Sequence, residues 1–230
     1  MKPKTIGKIL VDCGMTALLL LLMAFELVGR AAHEWLGLGI FILFIVHHVL
    51  NRKWSRNVFH GRYTPIRTVQ TVLAVAALLT MVGSAVSSVL ISREVFTFLP
   101  VSTGRAFGRT LHLLCAYWGF VFLSLHLGIH WNMMISMAKK LGGKSSSTRR
   151  TFLQIVGICI AVHGAYAFVK RGLPEYLFLQ THFVFFDFEE PLVFFFLDYL
   201  AIMGLFVWLG HSLSKALQAL SRRQRRKSGS

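Results

Sequence analysis

The sequence predicts an all-α protein, a polytopic transmembrane helix bundle of six spans with both termini in the cytoplasm. Three observations predict it. Of 230 residues, 55% are hydrophobic and only 15% charged. The apolar residues fall in blocks about 20 long, the length at which a helix crosses hydrocarbon. The Lys and Arg residues gather at alternate ends of those blocks, as the positive-inside rule requires.

The first span, about 7–29, follows a basic MKPK and has the outline of a secretory signal. Cleavage near Ala31 and Ala32 would leave His33 at a new terminus, so it is read as an uncleaved span. The second and third cover about 33–51 and 68–91, and the fourth, about 107–137, is the longest, so part of it is expected to protrude or tilt. The fifth and sixth cover about 151–169 and 191–213; all six are too long and too apolar for strands.

With the N-terminus inside, the N-terminus, segments 51–67 and 138–150, and the tail hold 19 of the 25 Lys and Arg, while eight of nine acidic residues fall on the outer half. That asymmetry sets the orientation and explains the net charge of +16 without nucleic acid, because the basic residues do not form one soluble face. Segments between spans do not exceed about 22 residues, too few for a second domain of usual size. Any soluble catalytic module is expected on another polypeptide.

The outer segment, residues 170–190, reads KRGLPEYLFLQTHFVFFDFEE; it is too acidic to span and rich in Phe, so it is expected to lie in the interface or cap the bundle. The tail, 214–230, is basic and partly amphipathic, suited to anionic headgroups and expected to be disordered beyond Arg223. Cys13, Cys115 and Cys159 have neither CxxC nor CxxCH spacing and are read as packing residues.

Ligand-forming side chains inside a membrane are costly and ask for a reason. In the second span, HEWLGLGIFILFIVHH, His33 and His47 are fourteen residues apart; in the fourth, HLLCAYWGFVFLSLHLGIH, so are His112 and His126. Fourteen residues of helix turn about 1400°, some 40° short of four turns, and rise about 21 Å. Each pair shares one face at two depths, and both spans run from outside to inside. If the helices face one another, His33 opposes His112 and His47 opposes His126. Two levels of paired imidazoles suit two non-covalent b-type haems, each with an axial histidine from either side. His33, His47, His112 and His126 are thus the candidate iron ligands.

His48 adjoins His47 but is rotated about 100° from it, and His130 lies one turn below His126 on the same face. His130 is an alternative inner ligand, or binds a propionate or a quinone. His163 and His211 have no partner at this spacing and are read as packing or interface residues, whereas His60 and His182 are loop residues expected to be exposed. Gly37 and Gly39, with Gly119, lie between the paired histidines, where a missing side chain admits either a macrocycle or a neighbouring helix. Arg105 and Arg109 stand above His112, and Arg30 above His33, placed for haem propionates or for interfacial snorkelling. Asn51, Arg52 and Trp54 close the second span as interfacial anchors.

The runs HEWLGLGIFILFIVHHVLNRKW and LHLLCAYWGFVFLSLHLGIHW resemble the bacterial flavinylation-associated cytochrome family, small membrane proteins of the broad cytochrome b type. The likeness covers roughly residues 1–137. By position it implies His33, His47, His112 and His126 as haem ligands, with His130 matching the second histidine of the last motif. It further implies a bacterial cytoplasmic membrane, and electrons passing from quinol or a cytoplasmic donor to a flavin-bearing partner outside. The chain has no [ST]GAT flavin-attachment motif, so any flavin belongs to the partner. The spacing also resembles the membrane core of ferric reductases and NADPH oxidases, without their nucleotide-binding domain.

The expected organisation is a four-helix haem-binding core over 1–137, two further helices over 138–213 and a basic tail. The expected role is an electron-transfer subunit rather than a self-contained enzyme. A rival reading is a transporter or metal- and proton-handling bundle, against which stands the distance of about 21 Å between histidine levels. A third is a structural membrane subunit without cofactors.

Overall fold

The computed structural model describes residues 3–58, 60, 63–99, 103–141 and 146–227. Among them the chain is all-helical: α1 Pro3–Leu22, α2 Phe25–Leu50, α3 Arg52–Asn57, α4 Pro65–Ile91, α5 Arg105–Leu141, α6 Ser147–Lys170, α7 Leu173–Leu177 and α8 Leu192–Lys227. Six of these, all but α3 and α7, are long and apolar enough to cross a membrane. Large apolar side chains point outward on each of the six, among them Leu10, Ile42, Leu79, Phe107, Val162 and Leu200. In water that surface would be an aggregation liability; in a lipid bilayer it is solvated.

Element boundaries follow local chemistry. The first turn of the chain falls earlier than the sequence pattern predicts, at Met23–Ala24 instead of after Gly29. Ala24 is fully buried, small enough for a tight turn, and its carbonyl accepts from the Leu27 and Val28 amides. Gly29 then kinks α2 with φ 74°, a left-handed value that glycine takes without steric cost. Thr64 caps α4 by accepting from the Arg67 amide, and Pro65 occupies the first turn, where its missing N–H is no loss. The tail differs from expectation: α8 continues to Lys227, since SKALQALSRRQRRK contains no Gly or Pro to stop it. Residues 228–230 of the tail lie outside the described residues.

The spans alternate in direction. Gly14 meets Leu43 and Gly39 meets Leu18, so α1 and α2 are antiparallel; α4 and α5 are too, with Gly108 on Leu90 and Gly119 on Thr80. Phe120 packs on Tyr199 and Gly128 on Val207, which makes α5 and α8 parallel. α5 lies along α4 and α8, α6 lies along α8, and α2 lies along α1. Glycines allow the closest crossings, where lost side chains let backbones approach for dispersion contact. A methyl on Gly128 would overlap the Val207 carbonyl oxygen, and one on Gly164 the Ala201 carbonyl oxygen. Cys115 packs against Gly83 as read from the sequence, but Cys13 and Cys159 are exposed on the outside of the bundle. A thiol behaves there as a small apolar group.

The segment after α6 caps one end of the bundle. Leu173, Tyr176 and Leu177 are buried, Tyr176 stacks on Tyr117, and the Trp118 indole donates to the Leu177 carbonyl. Asp198, only 4% exposed, accepts from Lys170 at 3.0 Å and Arg171 at 2.9 Å, and Glu190 pairs with Arg171 at 2.7 Å. Burial works against the Arg171 charge, but the hydrogen bonds it donates to Glu190 and Asp198 outweigh it and hold its pKa above the usual arginine value. Both ends of the 171–191 strap are thereby tied to α6 and α8. Phe183, Phe185 and Phe188 point outward from it.

Candidate cofactor site between α2 and α5

α2 and α5 run in the same direction, yet their backbones do not pack closely; α2 rests on α1 and only lightly on α4. Side chains from the two helices meet across the intervening space. At the end shared with the strap, the ring centres of His33 and His112 are 6.0 Å apart with planes at 71°. One imidazole nitrogen about 2 Å from a metal on each side puts the ring centres about 6 Å apart.

The ring nitrogens fit the same use. Ser87, fully buried on α4, donates to the Ser84 carbonyl at 2.9 Å, so its oxygen is free to accept from His112 Nδ1 at 3.1 Å. Ser88 lies 3.4 Å from the same nitrogen. With Nδ1 as donor, His112 Nε2 keeps its lone pair, which is the form that binds metal. His33 Nδ1 is buried without a hydrogen-bond partner among the described residues. An orphaned polar atom at membrane depth is costly unless a ligand engages the ring.

Glu34, next to His33, reaches the loop between α4 and α5. Its carboxylate accepts from Ser92 Oγ at 2.6 Å and from the amides of Arg93, Glu94 and Val95 at 2.9–3.0 Å. Since α2 and α5 scarcely touch, this tie fixes α2 against the α4–α5 unit at the level of the upper histidines.

At the opposite depth, His47 Nδ1 lies 2.7 Å from Asp12 Oδ1 of α1. Asn51 places its amide nitrogen 3.3 Å from His47 Nε2, and its own oxygen accepts from Lys8 at 2.7 Å. His126 lies in the neighbourhood of His130, His47, Asp12 and His48, and His130 in that of His47 and Asp12. The rings of His126 and His130 are 4.8 Å apart, and neither makes a hydrogen bond among the described residues. For His47 Nε2 to hold a metal at this level, the Asn51 amide would have to leave it. His48 is turned aside, with Nδ1 on the Phe44 carbonyl and its ring against Phe44.

Between the two depths lies an apolar layer of Ile40, Phe44 and Met81, flanked by Phe41 and Leu123. The glycines divide. A methyl on Gly37 would meet nothing within 4 Å, leaving open space there, whereas one on Gly119 would meet Thr80, so Gly119 serves the α4–α5 contact. Arg30, Arg105 and Arg109 are exposed at the upper end. His163 pairs with Asp198 at 3.2 Å, outside this site. His211 Nδ1 is buried without a partner among the described residues, and His60 and His182 are exposed.

Asp12, Ser87 and Glu34 went unassigned in the sequence reading, although each left a signal. Asp12 is the one acidic residue on the inner half, and a carboxylate in an apolar span asks for a partner. Ser87 and Ser88 interrupt an apolar run, and Glu34 adjoins a proposed ligand. No three His, Cys, Asp or Glu side chains among the described residues come together as a metal-enclosing group. Comparison with protein-family models, curated proteins and solved structures finds no match to this chain.

Proposed function

We propose that this protein is a di-haem b-type electron carrier of a bacterial cytoplasmic membrane, with its termini inside and the strap outside. The observation that carries the reading is the pair His33 and His112, with ring centres 6.0 Å apart on parallel helices; His47 and His126 follow them by fourteen residues on the same two helices. A haem bound at each level supplies one-electron chemistry, its iron alternating between two oxidation states.

The chain's own residues hold and orient. His33 and His112 would hold the outer haem, with Ser87 fixing the His112 tautomer; His47 and His126 would hold the inner one, with Asp12 behind His47. His130, one turn below His126, is held for a propionate, a quinone or the inner ligand role itself. The layer of Phe44 and Met81 keeps water from the space between levels. The positive-inside distribution of Lys and Arg supports the orientation. The resemblance to flavinylation-associated cytochromes supports an extracytoplasmic flavin-bearing partner, with quinol or a cytoplasmic donor on the other side. The metal-handling alternative gains no ligand cluster from the described residues.

The test is a reduced-minus-oxidised spectrum with pyridine extraction on purified protein. Two haems per chain with b-type bands are expected, falling to one in H33A or H112A. Protein purified from haem-replete cells with no haem and no such bands would sink the reading.

A further inference from the structure

The end of the bundle bearing His33 and His112 holds a cavity of about 410 Å³ between the last turn of α4 and the first of α5. Val89, Leu90 and Phe96 give it apolar walls, while Arg93, Thr97 and Arg105 line it with cationic and hydroxyl groups. Neither Arg93 nor Arg105 has a carboxylate partner among the described residues. The Glu34 carboxylate accepts from the Arg93 amide and is committed to Ser92 and three loop amides. Its hold also fixes the backbone from which Arg93 projects, so the cavity wall is set before any ligand arrives.

The cavity is in line with the histidine pair. Arg105 precedes His112 by seven residues, which places it on the same face of α5, two turns or about 10 Å further out. Ser92, also lining the cavity, follows Ser88 by one turn on α4, and Ser88 touches His112. Two guanidiniums without an ion-pair carboxylate, set beside the apolar side chains of Val89, Leu90 and Phe96, favour an anion carried on an apolar body, and the planar fork of arginine matches a carboxylate.

We propose that this cavity is a carboxylate site, in which Arg93 and Arg105 hold the acid groups of an apolar ligand. Two sources share that chemistry: the propionates of a haem seated between His33 and His112, or a free organic acid. The first source rests on the electron-carrier reading; the second does not.

The test uses the full-length protein in detergent and the R93Q/R105Q double variant, with both side chains at the surface where substitution leaves the core untouched. In one arm, apoprotein is reconstituted with haem or its dimethyl ester. A propionate site predicts haem binding about 10-fold weaker or more in the variant, each charged hydrogen bond being worth that much, and a lower potential for the haem that H33A removes. The ester is expected to bind both proteins alike. In the other arm, octanoate is titrated by calorimetry; a free-acid site predicts binding to the wild type that the variant loses. Haem affinity and potential unchanged in the variant, together with no octanoate binding to wild type, would overturn the proposal. If the wild type takes up no haem, the electron-carrier reading fails and octanoate alone decides the cavity.

Discussion

Asp12 of α1 and His47 of α2 are joined by a 2.7 Å contact between Oδ1 and Nδ1, thirty-five residues apart in sequence. A carboxylate behind a metal-binding imidazole fixes its tautomer and makes it a stronger donor to the oxidised metal. Removing the carboxylate is expected to weaken haem binding at the lower level about 10- to 100-fold. D12A should also raise the potential of that haem, because the oxidised form loses a negative charge nearby, while the upper haem stays unchanged. A redox titration of D12A alongside H33A reads both. A lower-level potential equal to that of the wild type would deny Asp12 this part.

Glu34 is expected to matter out of proportion to its surface position. One carboxylate satisfies a hydroxyl and three consecutive amides, and hydrogen bonds to an ionised acceptor are the stronger kind. E34A should cost about 1–3 kcal/mol of stability, since water reaches the freed amides and limits the loss. Hydrogen exchange at Arg93, Glu94 and Val95 should accelerate in E34A and recover in part in E34Q, which keeps an oxygen acceptor. Exchange as slow as in the wild type would show that the loop holds its shape without the acid.

The meeting of His33 with His112 was legible because a fourteen-residue repeat in a helix is a length and an angle at once, and both helices carry it. Much of the rest was not. The turn at Met23–Ala24 sits in an apolar run with no proline or glycine at the turn, and only Glu26 marks the start of α2; its position is decided by the tight fit of Ala24. Gly119 reads from sequence as open to a cofactor or a helix; only the packing shows Thr80 beside it. Asp12 meets His47 through chain reversal between α1 and α2, a relation that periodicity along one helix does not contain, whereas Asn51 meets it one turn along α2 itself.

Asp198 is the hinge point of the strap. It is 4% exposed and binds Lys170 and Arg171 together, so removing it leaves both cations to Glu190 alone. Losing charged hydrogen bonds of this kind costs about 1–3 kcal/mol. D198A should therefore lower the thermal midpoint and expose residues 178–189 to protease, while H163A, which removes an exposed partner, should do neither. A strap as protease-resistant in D198A as in the wild type would assign its hold to the buried Tyr176 and Leu177 instead.

Three glycines separate packing from ligand space. At Gly128 an added methyl meets the carbonyl oxygen of Val207 on α8, and backbone cannot yield as a side chain does. G128A should cost at least about 1–3 kcal/mol as the α5–α8 crossing is pushed apart. At Gly157 a methyl meets nothing within 4 Å, so G157A should be neutral or slightly stabilising through helix propensity. Gly37 is equally open without a ligand, and on that ground alone G37A should match G157A in the apoprotein. The two diverge if the space beside Gly37 is where a macrocycle lies against α2. Haem content should then fall in G37A and in the bulkier G37L while G157A keeps both haems. Thermal midpoints of apoprotein and haem stoichiometry of holoprotein, measured on the same three variants, keep a packing defect apart from a blocked site. Full haem content in G37L would mean that the macrocycle does not approach α2 at Gly37.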